Sequence, residues 1–132
     1  MVGIVIVSHS HLLTCGVKQL AMELSRDSVS IATAGGLDET TTGTNAEAIH
    51  HAIQNAYTED GVVVLFDLGS ALMSTQMAIE MFPEEQQKRI KLIDAPIVEG
   101  ALIAAVEASL GRSLEEVSAA AENTRHMKKI TP

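Results

Sequence analysis

Met1-Val-Gly-Ile-Val-Ile-Val-Ser-His-Ser-His11 opens the chain. A continuous apolar run stops at a small hydroxyl residue and a histidine, and a helical pattern follows at once. An apolar run without alternation reads as a strand covered on both faces, as in a parallel sheet between helices. In open α/β folds ligands are handled at the carboxyl ends of the strands. His9 therefore stands at the expected chemical edge of the molecule.

Outward from that stretch, strands and helices alternate. The first strand is Val2–Ser8. A helix follows over Leu12–Ser25, with Leu13, Val17, Leu20, Ala21 and Leu24 at helical spacing. Ser28–Thr33 reads as a short strand. Ala34–Thr44 is a glycine- and hydroxyl-rich loop without apolar periodicity. Thr44-Asn-Ala-Glu47 has the form of a capping box, opening a helix that runs to Tyr57. Asp60-Gly61 turns into Val62–Phe66, a second unbroken apolar run, which ends in Asp67-Leu-Gly-Ser70. A helix over Ala71–Phe82 is stopped by Pro83. Arg89–Asp94 is a fourth strand, and Pro96 opens a helix over Ile97–Leu110 that ends at Gly111. Ser113-Leu-Glu-Glu116 is a second capping box, with a last helix continuing to Lys129. The order β-α-β-α-β-α-β-α-α describes an α/β fold, a single doubly wound and mainly parallel sheet flanked by helices.

Composition narrows the function classes. At 132 residues the chain is expected to form one domain, residues 1–132. It is 46% hydrophobic but 2% aromatic, so Val, Ile, Leu, Met and Ala must fill the core. A net charge of −8 with 9 Lys plus Arg leaves no basic stripe for nucleic acid or an anionic membrane. The single Cys15 allows no internal disulfide and fits a reducing compartment. The apolar start lacks the basic flank of a signal peptide, and no run approaches the roughly 18 apolar residues of a membrane span. A cytoplasmic protein is expected.

Several residues carry candidate chemistry. A neutral imidazole is a nucleophile near neutral pH, and His9 sits where helix-start amides favour an anion. Asp67 ends the neighbouring buried strand and could accept a hydrogen bond from His9 Nδ1, leaving Nε2 to attack. A turn or capping aspartate is the plain alternative. Ser8, Ser10, Gly69, Ser70, Gly43 and Thr44 offer amides and hydroxyls for phosphate oxygens, although every α/β protein has such loops. Whether Thr40, Thr41 and Thr42 share in this is open. His50 and His51 are adjacent on one helix, so at least one faces solvent. His126 lies near the end of the last helix, where a cation is favoured. His11 beside His9 has no ligand constellation around it, so no metal and no cofactor is expected. Met73, Met77 and Met81 read as core filler or a helix-packing face, and equally as a partner surface. The two usual nucleotide loops and the serine-hydrolase elbow are absent. A histidine that handles phosphate without a nucleotide loop points to phosphate arriving on another protein.

Val5-Ile-Val-Ser-His-Ser10, Asp67-Leu-Gly-Ser-Ala-Leu72 and Ala95-Pro-Ile-Val-Glu-Gly100 together resemble the phosphotransferase (DhaM-type) subunits of bacterial PEP-dependent dihydroxyacetone kinases. That group belongs with the mannose-type IIA domains of the sugar phosphotransferase system. The resemblance spans essentially the whole chain. It implies a parallel sheet flanked by helices and a homodimer. It implies that His9 takes a phosphoryl group from phospho-HPr and passes it to ADP held by the nucleotide-binding kinase subunit. It also implies that Asp67 is the acidic residue supporting the histidine. Mannose-type domains carry His-Gly after the first strand and Gly-Gly-Ser/Thr-Pro after the third. His9-Ser10 and Gly69-Ser70-Ala71 depart from this and favour the kinase subunit. The alternatives are a mannose-type IIA component that donates to a IIB histidine, and a non-catalytic α/β regulatory module.

Overall fold

A computed structural model describes residues 1–131. The elements are β1 (Gly3–Ser8), α1 (His11–Ser25), β2 (Ile31–Gly35), α2 (Ala46–Ala56), β3 (Val62–Phe66), α3 (Ala71–Glu80), α4 (Glu84–Gln87), β4 (Ile90–Leu92), α5 (Ile97–Ser109) and α6 (Leu114–Asn123), with a closing 3₁₀ turn at Thr124–His126. The four strands form one parallel sheet in the order β2-β1-β3-β4. The expected α/β architecture is present.

β1 and β3 are the central strands, and that is why their sequences are apolar throughout. Alternate residues serve opposite layers. Ile4, Ile6, Val63 and Leu65 pack under α1, α5 and α6 with Val17, Ala21, Ala104 and Val117. Val5, Val7, Val62 and Val64 pack under α2 and α3 with Ile49, Ile53, Ala71 and Ala78. Small residues bring the helices close: a Cβ on Gly3 would overlap the carbonyl oxygen of Ala56, at the end of α2.

Several local expectations are corrected. The second strand is Ile31–Gly35 rather than Ser28–Thr33, because Arg26 and Asp27 turn left-handed (φ 55° and 57°) and Ser28 closes that turn on the Ser25 carbonyl. α2 is capped by Asn45, whose side chain accepts from the amides of Glu47 and Ala48, and not by Thr44. The chain after Pro83 forms the short α4, which had no apolar period to reveal it. α6 ends at Asn123, short of Lys129. On α1 the buried face is Thr14, Val17, Ala21 and Ser25, while Leu13, Leu20 and Leu24 lie exposed beside it. Met73, Met77 and Met81 are exposed too, so they fill no core. The second capping box is present as expected, with Ser113 and Glu116 bonded reciprocally.

Candidate phosphohistidine site

The strand order reverses between β1 and β3, the place where open α/β sheets hold ligands. His9 leaves the end of β1 and Asp67 the end of β3. The ladder runs to Val7 opposite Phe66, and the Asp67 amide donates to the Val7 carbonyl at 3.2 Å. Parallel pairing thus places the two residues side by side without help from any loop.

Asp67 gathers four donors. Its Oδ2 accepts from the Ser8 hydroxyl (2.8 Å) and the His9 amide (3.0 Å). Its Oδ1 accepts from the Leu68 amide (2.8 Å) and from His9 Nδ1 (3.0 Å). Partial burial pushes the carboxyl pKa up, but the hydrogen bonds from the His9 amide, the Ser8 hydroxyl, the His9 ring and the Leu68 amide outweigh it. The group is held below the usual aspartate value and stays ionised. An ionised carboxylate only accepts, so Nδ1 carries the proton and neutral His9 has its lone pair on Nε2. The Ser70 hydroxyl stands 3.0 Å from Nε2 and therefore donates to it. Both ring nitrogens are held, and the ring remains partly open to solvent.

The other expected phosphate-binding residues fall at the same edge, and all of them except Gly69 have polar groups already engaged. Ser8 is fully buried; its hydroxyl holds Asp67 and accepts from the Ser10 amide (3.0 Å). The Ser10 hydroxyl caps α1 by accepting from the Leu13 amide (3.3 Å). Gly43, at φ 138°, donates its amide to the His9 carbonyl (2.9 Å), so the glycine-rich loop steadies the histidine backbone. The Thr44 hydroxyl pairs with that of Ser74 on α3 (2.9 Å). Gly69 is exposed, with open space around it. The helix-start amides expected beside His9 are those of His11 and Leu12. They start α1 and have no acceptor among the described residues. The signal for them was the helix start itself.

Thr40 and Thr41 bond to the Asp38 carboxylate and close the loop upon itself. His50 packs against Phe82 and His51 is exposed, so one of this pair is solvated as expected. His11 Nε2 lies 3.5 Å from Cys15 Sγ. Among the described residues no three His, Cys, Asp or Glu side chains cluster as metal ligands. No helix there is long and apolar enough to cross a membrane.

A family profile described as the PTS system fructose IIA component matches residues 3–118. The chain belongs to this family. It is 36% identical over 117 residues to the phosphoryl donor subunit DhaM of PEP-dependent dihydroxyacetone kinase 2 from Listeria innocua, covering 89% of this chain and 94% of the relative. It is 42% identical over 120 residues to the DhaM subunit from Escherichia coli, covering 89% of this chain and 25% of the relative. The DhaM subunit from Providencia stuartii aligns over 98% of this chain and 28% of its own length. The chain thus spans about a quarter of the two longer relatives and nearly all of the Listeria one. The crystal structure of the unknown-function protein EF1359 superposes with a TM-score of 0.80 at 30% identity, covering 93% of this chain and 95% of that one. As a IIA-family member this chain shares its sheet with that neighbour.

Proposed function

We propose that residues 1–132 form one IIA phosphocarrier domain that accepts a phosphoryl group on His9 Nε2 and hands it to a kinase partner. The observation that carries this is the arrangement of the ring. Asp67 fixes the Nδ1–H tautomer, and a movable hydroxyl, Ser70, is the partner of the nucleophilic nitrogen. The Listeria and E. coli relatives, each named as the phosphoryl donor subunit of a PEP-dependent dihydroxyacetone kinase, support the same reading.

The donor is phospho-HPr, in the cytoplasm. The Nε2 lone pair attacks phosphorus in line. The P–N bond to the donor histidine breaks, and its electron pair returns to that ring. His9 keeps its Nδ1 proton, and the Asp67 carboxylate offsets the positive charge that develops on the phosphorylated ring. Ser70 leaves Nε2 and donates to a phosphoryl oxygen, joined by the Gly69 amide and the open amides of α1. Ser8, Ser10, Gly43 and Thr44 hold the frame. The acceptor is ADP on the nucleotide-binding subunit of dihydroxyacetone kinase: an ADP β-phosphate oxygen attacks, and the P–N bond to His9 breaks. The carrier works as a homodimer.

A second reading follows from the matched family description, which names a sugar phosphotransferase component. There the acceptor is a IIB histidine.

Incubation with phosphoenolpyruvate, enzyme I and HPr is expected to leave one acid-labile phosphate on the wild-type chain and none on His9→Ala. Phosphate on the variant overturns the assignment. Supplying the ADP-loaded kinase subunit and a IIB domain in separate reactions decides between the acceptors.

A further inference from the structure

α3 is apolar nearly all round, with Gln76 and Glu80 its only long polar side chains. A helix of that kind is normally covered on all sides. Here Ala71, Thr75 and Ala78 alone are buried. Met73 is 72% exposed, Met77 52% and Met81, just past the helix, 48%. Leu68, 57% exposed, stands between the start of α3 and Asp67, which holds His9. A contiguous exposed track of this kind marks an interaction surface. Methionine, unbranched and polarizable, suits a face that must fit a partner of its own shape.

Charge selects the occupant. From Asp27 to Gln87 the chain carries ten of its seventeen Asp and Glu and none of its nine Lys and Arg. That span includes β2, α2, β3, α3 and the loops on which Gly43 and Asp67 stand. A second copy seated on α3 would bring the same stretch, which carries no Lys or Arg of its own, against itself. A surface bearing Lys and Arg would be attracted instead. The site requires the same thing. Its own groups beside Nε2 are neutral donors, and no Lys or Arg lies on the loops that carry it. Countercharge for the moving phosphoryl group must come from outside.

We infer that the Leu68–Met73–Met77–Met81 track is the docking surface for the protein that brings phosphate to His9, and that this partner presents an apolar ridge rimmed by Lys or Arg. The inference rests on the carrier reading above. Once docked, the ridge covers the exposed side of the ring and excludes water from the transfer.

The test measures the initial rate of phosphate incorporation into His9 as a function of HPr concentration. Met73→Lys and Met77→Lys are each expected to raise KM for HPr about tenfold, as loss of a central interface contact does, with little change in kcat. Met77→Leu should keep the wild-type KM, and so should Leu24→Lys at the far end of α1. Added salt should raise the wild-type KM, since exposed charges are screened. The three side chains substituted are largely exposed, and circular dichroism checks that each variant is folded. A wild-type KM in the Met73→Lys, Met77→Lys double variant overturns the inference, as does indifference to salt. So does a Lys variant that turns a dimer into a monomer by light scattering while KM is unchanged, because the track would then belong to a second copy. A wild-type chain that takes no phosphate at all overturns the carrier reading itself.

Discussion

Asp67 decides the chemistry of the site at the scale of single residues, and its geometry makes a severe test. Two donors converge on each carboxylate oxygen. An asparagine of the same shape must point its NH2 group at one of those pairs, whichever way it is flipped. Either orientation sets donor against donor and breaks the hold on the ring or on the strand end. Asp67→Asn is expected to slow phosphorylation of His9 by about 10²-fold or more, the scale of a displaced acid–base group. Steady-state rates check this, and ¹⁵N spectra of the ring report whether the Nδ1–H tautomer survives. The same carboxylate links stability to pH. Its pKa is lowered on folding, so the unfolded chain binds the proton more tightly. Its contribution is therefore complete above the unfolded value of about 3.9 and is lost as the pH falls through the lower, folded value. Denaturant titrations should show wild type and Asp67→Asn differing clearly at pH 7 and drawing together towards pH 3. A gap that does not narrow would mean that Asp67 stabilises the fold by something other than its charge.

At the scale of elements, the loop before α2 separates two residues that sequence alone could not. Thr44 and Asn45 are both good cap residues, and the spacing to Glu47 favoured Thr44. Position is settled by a tertiary contact, since the Thr44 hydroxyl is drawn to Ser74 on α3 and Asn45 is left to cap. Asn45→Ala should cost about 1 kcal/mol of stability in denaturant melts. Thr44→Ala should cost less and should act on α3 and Ser70 instead, which a slower transfer rate with near-normal stability would reveal. The same contrast explains what was legible. β1 and β3 were plain because a strand buried on both faces must be apolar at every position, and because His9 and Asp67 follow directly from their ends. Leu13, Leu20 and Leu24 announced the helix but not its buried face, because leucines flanking a buried face have the same period as the face itself. The methionines of α3 could be placed on a surface only once the burial of Ala71, Thr75 and Ala78 was known. The His9–Asp67 pair was legible because strand ends encode it. The engagement of Ser8, Ser10, Gly43 and Thr44 was not, because each depends on a partner distant in sequence or on the fine geometry of a turn.

At the scale of the molecule, two apolar layers lie on opposite faces of one sheet, and they could in principle melt apart. The strands argue against it. β1 gives Ile4 and Ile6 to the α1–α5–α6 layer and Val5 and Val7 to the α2–α3 layer, and β3 divides its residues the same way. Loosening either layer therefore exposes the strands on which the other rests. Neither layer has a sheet of its own to keep. Single domains of this size usually unfold in one step, and the shared strands give this chain a structural reason to do so. Calorimetry is expected to give one transition in which the measured and van't Hoff enthalpies agree. Tyr57, packed in the α2–α3 layer, should report the same midpoint as far-ultraviolet circular dichroism. Ile53→Ala in the α2 layer and Val117→Ala in the α6 layer should each lower that common midpoint without splitting it. Two resolved transitions, or a Tyr57 signal that moves without the helical one, would show that the layers are separate units. The site would then be built across a seam, since His9 is flanked by α1 of one layer and Asp67 leads into α3 of the other.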